Sequence, residues 1–111
     1  MHVPVLYNEI ITGLQPGPGG RYIDGTVGAG GHAFGILTES APDGELLGLD
    51  LDPAALDAAA DRLGEFGSRA HLAQASYLSL AKEAHRLGWK SANGIVLDLG
   101  LSSLQLEDAD R

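Results

Sequence analysis

The sequence predicts an α/β protein of the doubly wound class, in which a parallel sheet carries helices on both faces. Two observations predict this class. Short apolar runs alternate along the chain with amphipathic stretches of helical length, an order typical of parallel strands joined by helices. In addition, the most unusual residues follow the predicted strands, and doubly wound sheets bind ligands at the carboxyl ends of their strands.

The first part of the chain predicts a helix, a strand and a second helix. Pro4 suits the first turn of a helix, and apolar residues recur at helical spacing as far as Leu14. Residues 15–20 (QPGPGG) interrupt this pattern, and residues 21–24 (RYID) predict a short strand. The glycine-rich loop after that strand leads into a helix expected from about His32 to Glu39.

The middle of the chain predicts an apolar strand over residues 45–50 (ELLGLD), followed by a helix. Asp52 followed by Pro53 is typical of a helix start, with an N-cap and then proline at the first helical position. We expect this helix to end at Gly67. Its buried side is expected to comprise Leu56, Ala60, Leu63 and Phe66.

The last part of the chain predicts a strand over residues 69–76, a helix over 78–87 and a strongly apolar strand over 94–100. The helix is amphipathic, with Leu80, Ala84 and Leu87 expected on one face. Four strands joined by right-handed crossovers then form a parallel sheet.

The composition narrows the functional classes. The chain has 111 residues and no cysteine, which excludes disulfides, cysteine-based zinc sites and a cysteine nucleophile. No apolar run approaches the roughly 20 residues of a membrane span, and the N-terminus does not resemble a signal peptide, so we expect a cytoplasmic protein. The net charge is −8 and the seven Lys and Arg residues are scattered along the sequence, which argues against a main nucleic-acid-gripping surface here.

The strongest candidate site is the loop over residues 24–32 (DGTVGAGGH), together with Asp50. Glycines let a backbone approach a ligand closely, and the start of the next helix supplies N–H groups without helical partners. Asp50 follows the loop by about 20 residues, the spacing at which an acid accepts hydrogen bonds from ribose hydroxyls. As an exposed strand-end carboxylate, Asp50 is expected to contribute little to stability. We interpret Asp52 as a helix cap.

Two kinds of cofactor fit this pattern. Gly28, Gly30 and Ala33 match the G-x-G-x-x-A fingerprint of nicotinamide dinucleotide sites, so an NAD-dependent dehydrogenase domain is one hypothesis. Asp24, four residues before Gly28, favours a methyl donor instead, because methyltransferases place an acid near the positive sulfonium end of their cofactor. The polar run over residues 98–103 (DLGLSS), after the fourth strand, favours the same alternative.

The whole set of motifs resembles one family. HVPVLYNEI, YIDGTVGAGGH, LLGLDLDPAAL and GIVLDLGLSSLQLEDADR are similar, in order and spacing, to the motifs of the bacterial 16S rRNA cytosine-N4 methyltransferases. The resemblance covers essentially the whole chain. It implies a Rossmann-like class I methyltransferase core, S-adenosylmethionine (SAM) as cofactor, and 16S rRNA or the small ribosomal subunit as partner.

The resemblance also implies a partial core. Members of this family are much longer, so residues 1–111 are expected to be the N-terminal part of the SAM-binding core, with its first four parallel strands and helices on both faces. A cofactor-binding fragment without activity of its own is a further hypothesis, from a different functional class.

The resemblance finally implies which residues contact the cofactor. Tyr77, where the family commonly has Phe, keeps an aromatic face for the adenine. Leu104 replaces a common proline, which loosens the backbone before Gln105. No residue is assigned as catalytic, and no histidine spacing predicts a metal site. The expected cofactor contacts are Gly30, Gly31 and His32 through their backbone, Asp50 at the ribose, Tyr77 at the adenine, and Asp98 and Gln105 at the end of the fourth strand.

Overall fold

The computed structural model describes residues 15–97, in which four strands form one parallel sheet in the order β3-β2-β1-β4. The order reverses between β1 and β4, so the switch point of the sheet lies between these two strands. The prediction of a partial doubly wound α/β core is therefore confirmed. The strands are β1 (Arg21–Asp24), β2 (Glu45–Asp50), β3 (Ala70–Gln74) and β4 (Gly94–Val96).

Helices connect the strands and lie on both faces of the sheet. They are α1 (Gly31–Glu39), α2 (Pro53–Arg62) and α3 (Leu80–Arg86), with 3-10 segments at Gly64–Arg69 and Tyr77–Ser79. The predicted helix over residues 4–14 and the residues after Leu97 lie outside the described part of the chain, as does the end of the strand predicted over 94–100.

The core has two layers because successive side chains of a strand point to opposite faces. On one face, Tyr22 of β1 and Leu46 of β2 pack with Ile36 of α1. On the other face, Ile23 and Leu47 pack with the layer formed by α3 and Trp89, which follows it. The sheet is thus covered on both sides, as expected for parallel strands.

The helix after Asp52 differs from its prediction in length and in one buried position. The α-helix ends at Arg62 and continues as a 3-10 segment, in which Gly67 has φ 58°. Ala59 is buried and Ala60 is exposed, so the expectation for Ala60 is wrong. The buried side follows the alternating spacing of three and four residues that keeps one helical face toward the sheet: Leu56, Ala59, Leu63 and Phe66.

The face predicted for the last helix is correct only in part. Ala84 is buried and Leu80 is half-buried against the second core layer, but Leu87 is 36% exposed. The helix ends at Arg86, with Gly88 at φ 81° just beyond it. The helical spacing that would align Leu87 with Leu80 therefore no longer applies, and Trp89, at 2% exposure, fills this layer instead.

Candidate functional site

A pocket of about 230 Å³ opens at the carboxyl ends of β1, β2 and β3. It therefore lies at the sheet edge where doubly wound proteins bind ligands. Asp50 and Tyr77, predicted from distant parts of the sequence, both line it. The lining residues are Gly25 and Thr26 after β1, Asp50 and Leu51 at the end of β2, and Ala75, Ser76 and Tyr77 after β3.

The Asp50 carboxylate holds the glycine loop in place. Its Oδ2 accepts a hydrogen bond from the Gly28 N–H at 2.9 Å, and its Oδ1 accepts one from the Asp52 N–H at 2.9 Å. Asp50 is half-buried rather than exposed, and its contact with Gly28 joins the loop to β2, so we expect it to contribute to stability as well as to binding. An ionised carboxylate has about four lone-pair sites, so two acceptor positions remain for ligand hydroxyls.

The glycine loop is a compact turn joined to β2. The Val27 N–H donates to the Leu49 carbonyl at 2.8 Å, and the Gly30 N–H donates to the Val27 carbonyl at 2.9 Å. Gly28 has φ 53° and Gly30 has φ 92°, backbone conformations that residues with a Cβ rarely adopt. The loop requires glycine at both positions for this turn.

Gly30, Gly31 and His32 form the start of α1 and are not among the residues that line the pocket. Gly30 is the N-cap residue, and in the described part of the chain no side chain caps this helix start. The first turn of an α-helix leaves backbone N–H groups without intrahelical acceptors, which favours anions there. These residues suit a ligand that extends from the pocket toward α1.

Tyr77 packs across the end of β1. A Cβ built on Gly25 would lie 2.9 Å from the Tyr77 Cβ and would also contact the Leu97 side chain. Glycine at position 25 is therefore required for Tyr77 to approach the sheet. The Gly25 N–H also donates to the Val96 carbonyl at 2.9 Å, which extends the pairing of β1 with β4 toward the site.

Sequence reasoning did not assign several pocket residues to the site. Leu51 is 65% exposed and lies between two acids. An apolar residue between acids at a strand end is the pattern that could have assigned it to the site. Ser76 was not distinctive in the sequence, and its Oγ accepts from the Leu78 N–H at 3.1 Å. Ala75 was not assigned either, whereas Gly25 and Thr26 belong to the loop over residues 24–32 that the sequence singles out.

Asp24 and Asp52 have separate roles from Asp50. Asp24 is 1% exposed at the end of β1, and its Oδ1 accepts from the Thr26 N–H at 3.1 Å. Asp52 caps α2 by accepting from the Ala54 N–H at 2.9 Å, and Pro53 follows it as the first helical residue, so the prediction of a cap is confirmed. Asp98 and Gln105, both predicted cofactor contacts, lie outside the described residues.

Residues 15–97 show neither a metal site nor a membrane-spanning helix. No group of three or more His, Asp or Glu side chains in this range is arranged to hold a metal ion. Over the same residues, no helix combines the length and the apolar character that a membrane crossing requires.

Comparison with known sequences gives one consistent result. The profile of the MraW methylase family matches residues 1–111. The chain is 52% identical over 110 residues to the ribosomal RNA small subunit methyltransferase H of Desulfovibrio desulfuricans, a match that covers 99% of this chain and 33% of that protein. The protein of the same name from Nitratidesulfovibrio vulgaris is 46% identical over 111 residues. That match covers 100% of this chain and 31% of that protein. The chain thus spans about a third of the length of these relatives.

Solved structures show the same fold at low sequence identity. TrmN from Thermus thermophilus superimposes with a TM-score of 0.66 at 23% identity, covering 85% of this chain and 27% of that one. An rRNA methylase from Streptococcus thermophilus gives a TM-score of 0.59 at 15% identity, with 75% and 48% covered. A protein-L-isoaspartate O-methyltransferase gives 0.67 at 12% identity, with 87% and 29% covered.

Proposed function

Because the chain belongs to the MraW methylase family, we propose that residues 1–111 form the N-terminal, SAM-binding part of an enzyme that methylates the N4 amino group of a cytosine in 16S rRNA. The observation that carries this proposal is the pocket at the ends of β1, β2 and β3, which Asp50 and Tyr77 both line. The names of the relatives support an rRNA substrate.

The residues of the pocket fit an adenosyl group. A carboxylate with two remaining acceptor positions suits the paired hydroxyls of a ribose. Leu51 and Tyr77 supply apolar and aromatic surface for a flat base. The backbone of Gly30, Gly31 and His32 at the start of α1 then suits the carboxylate of the methionyl part. Asp98 and Gln105 complete this proposed set of contacts.

SAM, when bound, supplies a methyl group on a positively charged sulfur. The task of this chain's residues is to hold that group in one orientation, since alignment of nucleophile, methyl carbon and leaving sulfur is the main source of rate in such a transfer. The cytosine amino group is a poor nucleophile because its lone pair is delocalised into the ring. An acceptor for its hydrogens, for which Asp98 is the candidate, would direct that lone pair toward the methyl carbon. The target base has to be unstacked to reach such a site.

We place the protein in the cytoplasm, with the small ribosomal subunit as its partner.

Calorimetric titration tests the cofactor. S-adenosylhomocysteine, the product form of SAM, and NAD are titrated separately into the 111-residue chain. We expect S-adenosylhomocysteine to bind more tightly than NAD. Tighter binding of NAD would contradict the proposal and support the dehydrogenase hypothesis, which rests on Gly28, Gly30 and Ala33.

The reaction requires a separate test. The chain is incubated with radiolabelled SAM and small subunits that lack the modification, and the labelled nucleoside is identified by mass spectrometry. Label on the cytidine N4 atom supports the proposed reaction, and label on another atom or nucleoside contradicts it. Cofactor binding without any transfer would instead support a cofactor-binding part that has no activity of its own.

A further inference from the structure

The exposed charges of the described residues separate onto the two faces of the sheet. The exposed acids of residues 15–97 lie on α1 and α2, at the N-cap of α2 or in the segments that follow these helices: Glu39, Asp43, Asp52, Asp57, Asp61 and Glu65. The exposed Lys and Arg side chains of the same range, apart from Arg62 on α2, lie on the opposite layer: Arg21, Lys82, Arg86 and Lys90. Basic residues that are scattered along the sequence therefore lie mostly on one side of the sheet.

These four side chains, named here the α3 cationic face, are connected through the second core layer. Lys82 and Arg86 are four residues apart on α3, which places them on the same side of the helix, roughly 6 Å apart at their Cβ atoms. Lys90 lines a groove of about 170 Å³ together with Trp89. The Arg21 guanidinium lies 5.5 Å from the centre of the Trp89 ring. Trp89 thus connects Arg21 with Lys90.

Two carboxylates of residues 15–97 lie on the same side of the sheet and offset part of the charge of the α3 cationic face. The Glu83 Oε1 lies 3.8 Å from the Arg86 Nε. Glu45, the register partner of Arg21 in the sheet, pairs with His71 at 2.8 Å. Over the same residues, no carboxylate lies at ion-pair distance from Lys82 or Lys90. Since the chain has a net charge of −8, a face with excess positive charge stands out against the rest of the molecule.

We propose that the α3 cationic face docks the phosphate backbone of single-stranded RNA beside the cofactor pocket, an inference that rests on the proposed function for the identity of the partner. The face begins next to the pocket, because α3 follows the Tyr77–Ser79 segment directly. It ends at Arg21, the first residue of β1, and at Lys90, which precedes β4, at the opposite edge of the sheet. RNA along α3 would therefore have one end at the site.

Fluorescence anisotropy with a labelled single-stranded RNA oligonucleotide of 16S sequence tests this surface without cofactor. The parent chain is compared over a series of salt concentrations with the triple variant Lys82→Gln, Arg86→Gln, Lys90→Gln. Each phosphate contact to a single strand contributes roughly 0.7 to the slope of log affinity against log salt concentration. We expect the triple variant to lower the magnitude of that slope by about 2.

Arg62→Gln and Arg86→Gln form the matched pair, since each removes one exposed arginine charge from a helix. Only Arg86→Gln should weaken RNA binding. The proposal is overturned if the parent chain does not bind RNA at low ionic strength, or if the triple variant keeps the parent slope. The proposal is also overturned if both single variants weaken RNA binding equally, because the affinity would then depend on the net charge of the chain and not on the position of the arginine.

Two further measurements separate this proposal from related ones. The triple variant and Arg86→Gln are titrated with S-adenosylhomocysteine, whose affinity should stay unchanged, and the melting temperature of every variant is recorded to show that it is folded. If the parent chain does not bind S-adenosylhomocysteine, the proposed function is refuted. If it binds the cofactor but the substitutions do not change RNA binding, only the docking surface is refuted. In a competition experiment, polyglutamate of equal charge and unlabelled RNA are compared as competitors. If polyglutamate displaces the labelled RNA equally well, the face binds an acidic protein rather than RNA.

Discussion

Two acids at the end of β2, separated by one residue, do different work at the site. Asp50 accepts hydrogen bonds from the backbone of Gly28 and of Asp52, so it joins the glycine loop to β2. Asp52 accepts from the Ala54 N–H and begins α2. Substituting each acid by alanine removes the same chemical group at neighbouring positions, which makes the two variants controls for one another.

Asp50→Ala is expected to weaken both the cofactor complex and the fold. A hydrogen bond to a charged group contributes roughly 1.5–3 kcal/mol, so the loss of the ribose acceptor should weaken S-adenosylhomocysteine binding about ten- to a hundredfold. The two backbone N–H groups that lose their acceptor should lower the free energy of unfolding by about 1–3 kcal/mol. Calorimetric titration and urea unfolding measure the two effects. An unchanged affinity would show that Asp50 serves the loop alone.

Asp52→Ala is expected to affect the fold alone. Loss of an N-cap costs about 1 kcal/mol, and the Asp52 backbone N–H that donates to Asp50 remains. Affinity for S-adenosylhomocysteine should therefore stay close to that of the parent chain, while the melting temperature falls. If Asp52→Ala lost the cofactor and Asp50→Ala kept it, the ribose acceptor would be Asp52.

At the scale of elements, Arg69 joins three segments at the edge of the sheet opposite the pocket. Its Nε donates to the Gly44 carbonyl at 2.7 Å, and its Nη2 donates to the Leu37 carbonyl at 2.6 Å. The guanidinium also lies 5.4 Å from the centre of the Phe66 ring. One side chain thus connects the last turn of α1, the turn before β2 and the segment before β3.

Arg69→Ala is expected to be among the more destabilising changes at a partly exposed position. It removes two charge-assisted hydrogen bonds, so the free energy of unfolding should fall by about 3 kcal/mol. Lys90→Ala, at an exposed site without an ion pair in residues 15–97, should change it by less than about 0.5 kcal/mol. Urea unfolding of both variants is the measurement, and equal effects would show that the Arg69 contacts do not join the segments.

Gly48 in strand β2 has no side chain, and this leaves space for the glycine loop to pack on the strand. A Cβ built on Gly48 would lie 2.8 Å from the Val27 Cγ2 and 2.9 Å from the Leu72 Cδ2. Val27 belongs to the glycine loop and donates its N–H to β2. The glycine in ELLGLD therefore lets the loop pack directly on the strand, and the position of the loop depends on the packing of the core.

Gly48→Ala is expected to act on both stability and binding. Overpacking a core costs about 1–3 kcal/mol, and a displaced Val27 would move the loop that contacts the ligand. Gly64→Ala is the control, since a Cβ there meets nothing within 4 Å. Thermal unfolding and S-adenosylhomocysteine titration of both variants are compared. Parent-like affinity in a destabilised Gly48→Ala chain would show that the loop position does not depend on this packing.

At the scale of the whole molecule, the pocket exists only when β1, β2 and β3 are aligned, because each contributes residues from its carboxyl end. A ligand of this pocket must therefore stabilise the folded chain. At a free concentration of about a hundred times its Kd, a ligand adds roughly 2.7 kcal/mol. For a domain of this size we expect S-adenosylhomocysteine to raise the Tm by on the order of 10 °C.

A thermal shift assay checks this expectation with NAD at the same concentration as the comparison. NAD should leave the Tm nearly unchanged. A shift with NAD and none with S-adenosylhomocysteine would mean that the pocket takes the other cofactor. Asp50→Ala should reduce the shift, because it weakens the ligand and the loop together.

The sequence by itself determined the class of fold, the order of its elements and most of the residues at the strand ends. These features depend on local patterns: apolar runs of strand length, the Asp52–Pro53 helix start, and glycines where φ is positive, as at Gly28 and Gly30. Asp50 was identifiable because its spacing from the loop follows from the length of one strand–helix–strand unit.

Only the tertiary structure decided which surfaces these residues share. Neither the contact between Asp50 and the Gly28 N–H nor the approach of Tyr77 to Gly25 has a signature in local sequence. Ala59 rather than Ala60 is buried because the exact rotation of α2 depends on what it packs against. The separation of acidic and basic faces likewise appears only when helices that are distant in sequence are placed on opposite sides of one sheet. Charge and contact depend on distances in space, which local spacing does not determine.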